Sequence, residues 1–179
     1  MDSVSGRLLL ATPDLLDPNF YRAVVLICSH DDEGAFGLIL NRPLEAPVAD
    51  HLGEWSEHVV EPAVVFEGGP VQRSTAIGLA LGPANRVWTI EVGRGLGLID
   101  LDDDSATVEL NALRVFSGYA GWGRGQLEAE IASEGWFVVD RWPDDSFSSE
   151  PEQLWRAILL RQGRDLAIYA NFPDDPAAN

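Results

Sequence analysis

Apolar residues come in short runs bounded by turn formers, a pattern that predicts many strands and few long helices. Leu8–Ala11 is the first run, closed by Thr12-Pro13-Asp14, and Asp17-Pro18-Asn19 precedes the second, Ala23–Cys28. Asp31-Asp32-Glu33-Gly34 makes a polar turn into Ala35–Leu40, a spacing that suits a hairpin. Asn41-Arg42-Pro43 is expected to end the second arm, because proline gives no amide to a ladder. Further strands are predicted at Ala63–Phe66, Thr75–Leu81, Arg86–Val92, Leu96–Leu101, Arg114–Ser117, Trp136–Val139 and Leu166–Tyr169.

Helical signals are sparser. Residues 47–52 have room for one short helix, and Asp102-Asp103-Asp104 put negative charge where a helix N-terminus favours it, predicting a helix to about Asn111. Leu127 and Ile131 stand at i, i+4 within Gln126–Glu134. Ser149 and Glu152 have the spacing of a capping box, Leu154, Ile158 and Arg161 follow one face, and Gly163 sits where a left-handed C-cap belongs. Strands with hairpin spacing, then helices interspersed with strands, indicate an α+β fold. No repeat or Gly/Ser-rich linker divides the chain, so 1–179 is read as one domain, with Asn171–Asn179 expected as a loose tail.

Composition narrows the function. With 179 residues, 46% of them apolar, the chain has ample material for a core. The net charge is −17 and all 12 basic residues are arginine, which removes lysine Schiff bases and the Walker lysine. So acidic a chain is a poor partner for polyanions, and no nucleic-acid binding is expected. The start lacks a secretory pattern, no run is long enough to cross a bilayer, and the single Cys28 fits a reducing compartment; a cytoplasmic protein with no membrane partner is expected.

The chemical motifs are individually weak. Gly118–Gly125 has the place of a phosphate loop but lacks the Lys and Ser/Thr of a Walker loop, and Gln126 stands where a dinucleotide fingerprint needs glycine. It reads either as an anion site using backbone amides and Arg124, or as a structural turn packing Tyr119 and Trp122. Cys28 and His30 alternate onto one strand face, though their spacing is long for a catalytic pair. The histidines lack metal-ligand spacing, and Asp100, Asp102 and Asp104 begin a calcium-loop pattern that Ser105 and Asn111 break. No serine sits in a GxSxG elbow. Asn41-Arg42-Pro43 and Glu67-Gly68-Gly69-Pro70 each follow a predicted buried strand, as functional groups or as suppliers of unusual backbone angles.

Taken together, these segments resemble a known family. Leu10-Ala11-Thr12-Pro13, Leu16–Arg22, Val24-Val25-Leu26 and Gly34–Leu44 look like the opening of the YqgE/AlgH family. Glu67-Gly68-Gly69-Pro70-Val71 and Gly118–Gly123 through Gly125–Glu128, with Glu130 and Trp136, match its other blocks in order. The resemblance spans nearly the whole chain. It implies a bacterial cytosolic protein, a single compact domain with a large mixed, mostly antiparallel twisted sheet flanked by a few helices. Members have been labelled transcriptional regulators through a link to alginate production; the family supplies no agreed catalytic residues. Many members carry a Leu-His pair in the strand after the Gly-Gly-Pro block, where this chain reads Thr75-Ala76-Ile77-Gly78-Leu79.

The reading is therefore a non-enzymatic binding or regulatory protein acting through a protein or small-molecule partner, without cofactor, metal or catalytic set. Its alternative is a hydrolase or transferase using His30, Asn41, Arg42 or Glu128. The candidate ligand or partner surface comprises Asn41, Arg42, Gly68, Gly69, Gly121, Gln126 and Glu128, expected to meet on one sheet edge with Arg42 facing Glu128 or a bound anion.

Overall fold

The computed structural model describes residues 2–83 and 85–173. Its strands are β1 (Leu8–Ala11), β2 (Val24–Asp31), β3 (Gly34–Ile39), β4 (Pro43–Pro47), β5 (Val64–Glu67), β6 (Val71–Leu81), β7 (Ile90–Gly93), β8 (Leu96–Ile99), β9 (Ala112–Gly123) and β10 (Trp136–Val139). Helices α1 (Val48–His51), α2 (Gln126–Ala132), α3 (Leu154–Arg161) and α4 (Arg164–Ala167) flank them. The sheet runs β10-β1-β2-β3-β9-β6-β8-β7, with β5 beside β9 and β4 beside β5. All pairings between these strands are antiparallel except β5 with β9, so the fold is α+β around a mixed, mostly antiparallel sheet, as expected. No helix among the described residues is long and apolar enough to cross a membrane.

The unbroken apolar runs follow from burial on both faces of the sheet. Leu8, Leu10, Val24, Leu26 and Leu38 share a core with Trp155, Ile158 and Leu159 of α3, whereas Leu9, Ala11, Val25, Ile27 and Ile39 pack with Leu127 of α2 and with Trp122 and Trp136. A third cluster, Val48, Trp55, Ala80, Ile99, Leu113 and Val115, lies under α1.

Several expectations need correction. Pro43 begins β4 rather than only ending β3. The predicted strand Arg86–Val92 is reduced to β7. The triple aspartate caps only a one-turn 3-10 segment, Ser105–Thr107; Val108 and Leu110 then turn alternately onto the third cluster, a period-2 pattern that no helix supplies. Gly118–Gly123 is the second half of β9, not a loop, because Phe36 and Gly37 pair with Gly121 and Ala120. Ser149 caps nothing helical: Pro151 opens a 3-10 turn whose N-cap is Glu150, shifting the frame of the expected capping box. Leu166–Tyr169 is helical, with Leu166 and Tyr169 three residues apart and both packed on the first core. Phe172 stacks on Tyr169, and residues 174–179 of the expected tail lie outside the described residues.

Candidate functional site

The glycine- and proline-marked blocks divide between the two ends of β3. At its C-terminal end, β5 pairs with one edge of β9 through Glu67 and Ser117, and β6 pairs with the other edge through Ala76 and Ser117. The chain therefore crosses β9 within Gly68-Gly69-Pro70. A Cβ on Gly69 would lie 2.1 Å from the Tyr119 carbonyl carbon, one on Gly68 2.2 Å from the Gly118 oxygen, and one on Gly118 2.6 Å from the Gly69 oxygen. These glycines let backbone lie on backbone, and β9 fills the space the motif keeps open.

Asn41 and Arg42 lie at the same end and serve the loop before β2. The Asn41 amide donates to the Arg22 carbonyl and its oxygen accepts from the Val24 amide, both at 2.9 Å. Arg42 donates to the carbonyls of Asn19 (2.5 Å) and Tyr21 (3.1 Å). Burial lowers the Arg42 pKa from its ordinary value, against the opposing pull of Glu67 and Asp17.

Gly121, opposite Phe36 in the middle of β3, directly follows the Ala120 whose nitrogen Gly69 approaches, so it borders the crossing. Gln126 and Glu128, by contrast, lie beyond the other end, where Gly34 faces Gly123; the two ends of β3 are about 17 Å apart at strand rise. Gln126 accepts from the Gly123 amide and donates to Glu130. Glu130 in turn accepts from the indoles of Trp122 and Trp136, both at 2.9 Å. Glu128 meets His30 Nε2 at 3.1 Å. The Glu128 backbone amide in the first turn of α2 and the His30 bond hold its carboxyl below the usual carboxylate range. The expected contact of Arg42 with Glu128 is therefore absent: Asn41, Arg42, Gly68 and Gly69 come together, whereas Gln126 and Glu128 stand apart from them.

A β-bulge likewise separates Cys28 from His30. Register shifts between Ile27 and Ser29, so Cys28 enters the first core while His30, opposite Ala35, turns toward Val4 and α2. The Val4 amide donates to His30 Nδ1, which makes Nε2 the protonated nitrogen that donates to Glu128. Burial pushes the Cys28 thiol up to about 12.

A further concavity was missed in the sequence. About 560 Å³ in volume, it opens where the β10 and β7 ends of the sheet approach and is lined by Ser5, Arg7, Gly93, Arg94, Asp140, Arg141 and Trp142, among others. Arg7 Nε lies 3.2 Å from Asp140. Arg141 donates to the Gly93 carbonyl at 2.6 Å, leaving its buried Nε–H without a hydrogen-bond partner. Burial lowers the Arg141 pKa, neighbouring Arg94 adds to the effect, and Asp145 and Cys28 oppose it. Arg94 is exposed and pairs with no described carboxylate. Two guanidiniums thus stand close together in a chain with 29 acidic residues, a disposition that suits an anion. Among the described residues, no group of three or more His, Cys, Asp and Glu side chains is placed to hold a metal.

The AlgH-like family, DUF179, matches residues 8–167 of this chain. The chain belongs to it. It is 47% identical to the UPF0301 protein SCO2948 of Streptomyces coelicolor over 188 residues, covering 100% of this chain and 97% of that protein. A UPF0301 protein of Mycobacterium tuberculosis is 38% identical over 184 residues, covering 98% and 90%. Among solved structures, the crystal structure of DIP2367 from Corynebacterium diphtheriae superposes with a TM-score of 0.86 at 26% identity, covering 93% of this chain and 91% of that one. The solution structure of AlgH from Pseudomonas aeruginosa gives 0.71 at 28% identity, covering 96% and 95%.

Proposed function

We propose that the protein is a recognition protein of the cytoplasm whose partner is a small anion held in the seam cleft, bound without being turned over. The observation that carries this reading is that Arg94, which meets no described carboxylate, and half-buried Arg141, which donates to the Gly93 carbonyl, line one concavity together. Guanidiniums present forked donors suited to carboxylate and phosphate oxygens, and half-burial strengthens such contacts over those in open water. The four groups named for the enzymatic alternative have structural occupations: Asn41 and Arg42 bind backbone, and His30 and Glu128 bind each other. Three arginines gathered in one concavity do not form the extended basic stripe that a nucleic-acid backbone needs, so polyanions remain excluded partners in this reading.

The test is calorimetric titration with phosphate, sulfate and citrate at low and physiological salt, beside thermal unfolding. A ligand at ten times its Kd stabilises by about 1.4 kcal/mol, raising Tm by about 3–6 °C for a domain of this size. Saturable binding at one ion per chain, weakened by salt and by Arg141→Gln, is expected. Heat or Tm responses that Arg141→Gln and Arg94→Gly leave unchanged would refute the assignment to this cleft.

A further inference from the structure

The cleft is more specific than a bare anion site. Arg7, Arg94 and Arg141 face one carboxylate, Asp140, leaving the lining a net charge of about +2, and a phosphomonoester carries about −1.5 to −2 at neutral pH. Beside these cations stands Trp142, 59% exposed, whereas the other five tryptophans are buried or half-buried. One face of its ring is occupied: the Arg161 guanidinium lies 4.1 Å from the ring centroid. Arg161 is fixed in turn by Asp145 through bonds of 2.7 and 2.5 Å, and Asp145 also accepts from the Trp142 amide at 2.6 Å. The indole is thus backed by a largely buried ion pair and anchored at its own backbone. An aromatic side chain held this way beside unneutralised arginines is a stacking platform next to a phosphate seat.

Resting on the anion-binding reading above, we infer that the seam cleft takes a phosphomonoester carrying a planar ring, in class a nucleoside monophosphate, with the phosphate at Arg94 and Arg141 and the ring on Trp142. The volume, about 560 Å³, lies within the range of small-molecule sites. A triphosphate would bring more negative charge than the lining can meet.

Titration of the full chain with inorganic phosphate, ribose 5-phosphate, AMP, ATP and adenosine tests this. AMP should bind about tenfold more tightly than ribose 5-phosphate, and adenosine should bind far more weakly than AMP. Trp142→Ala should remove the tenfold advantage of AMP while leaving ribose 5-phosphate unchanged, and Trp142→Phe should restore most of it. Arg94→Gly should weaken every phosphate ligand about tenfold without lowering Tm, because Arg94 occupies φ +57 in a turn where glycine is at ease. Ribose 5-phosphate binding as tightly as AMP would overturn the stacking role and leave the anion site standing. ATP binding more tightly than AMP would overturn the assignment to a monophosphate. Failure of every phosphate ligand at millimolar concentration would remove the anion site itself.

Discussion

Replacing Gly69 by alanine tests whether the Gly-Gly-Pro block exists for the chain crossing or for a ligand. The added Cβ would stand 2.1 Å from the Tyr119 carbonyl carbon and 2.4 Å from the Ala120 nitrogen, where ordinary contact begins at 3.4 Å. All the obstructing atoms are backbone, so no rotamer change relieves the overlap and the two chains must part by more than 1 Å. The Gly68 amide to Ser117 carbonyl and Ile39 amide to Gly68 carbonyl bonds, both 2.9 Å, anchor the same crossing. Breaking them inside the sheet costs about 1–3 kcal/mol each, and overlap and lost packing bring the total to about 4 kcal/mol or more. At about 2–4 °C per kcal/mol, Tm should fall by at least about 8 °C.

Two other glycines calibrate the measurement. A Cβ on Gly121 meets only the Tyr119 ring, at 3.4 Å, so Gly121→Ala should be neutral or stabilise by up to about 1 kcal/mol as a strand residue. Gly125 has open space around it but φ +72, so its alanine variant should cost about 1 kcal/mol from backbone conformation alone. Equilibrium urea unfolding of the three variants should rank Gly69→Ala far below the others. A Gly69→Ala protein within 1 kcal/mol of the parent would refute the crossing as the reason for the block and return these glycines to candidacy as a ligand surface.

Three further outcomes follow from Cys28, Glu130 and Glu128. Native Cys28, with its thiol pushed up to about 12 and no solvent access, should react with a disulfide reagent at pH 8 at least a thousandfold more slowly than in denaturant; comparable rates would contradict its burial. Glu130→Ala leaves the buried indole N–H groups of Trp122 and Trp136 without their carboxylate, which should cost about 3 kcal/mol in urea unfolding and red-shift tryptophan emission; a loss under 1 kcal/mol would contradict the bridge. The Glu128 carboxyl is held below its ordinary value, so its contribution is present above the usual carboxylate range and is lost as pH falls through the lowered value. Glu128→Gln should therefore flatten the acid limb of a Tm-against-pH curve and leave its alkaline limb unchanged, and an unaltered acid limb would show that the His30 bond does not couple to folding.

The first three strands were legible because their signals are local. Leu8–Ala11, Ala23–Cys28 and Ala35–Leu40 are apolar on both faces, and Asp31–Gly34 supplies the turn between the last two. The bulge at Cys28 was not legible, since no residue near it marks the inserted position. It reversed the face of His30 and replaced an imagined Cys-His pair with a His-Glu contact to α2. The helix expected after Asp102 failed for a related reason: aspartates favour a helix N-terminus and a one-turn cap equally, and the alternation of Val108 and Leu110 decided between them.

The glycine blocks misled most instructively. A glycine is required wherever something approaches the main chain closely, and the sequence does not say whether that neighbour is a ligand or another strand. Only the position of β5 and β6 on opposite edges of β9 settles it, and strand order is a property of the assembled sheet. The same nonlocality hid the arginine cleft. Arg7 precedes β1, Arg94 sits in the turn between β7 and β8, and Arg141 follows β10, so none shares a motif with another. They converge because both ends of the sheet path come to one seam, where unpaired strand ends leave room for a cavity. Nothing in the sequence marks them, because which arginines come together away from carboxylates is a property of the folded chain. In the proposed anion-binding reading, function turns on the placement of Arg94 and Arg141 in the cleft and not on the spacing of the glycines.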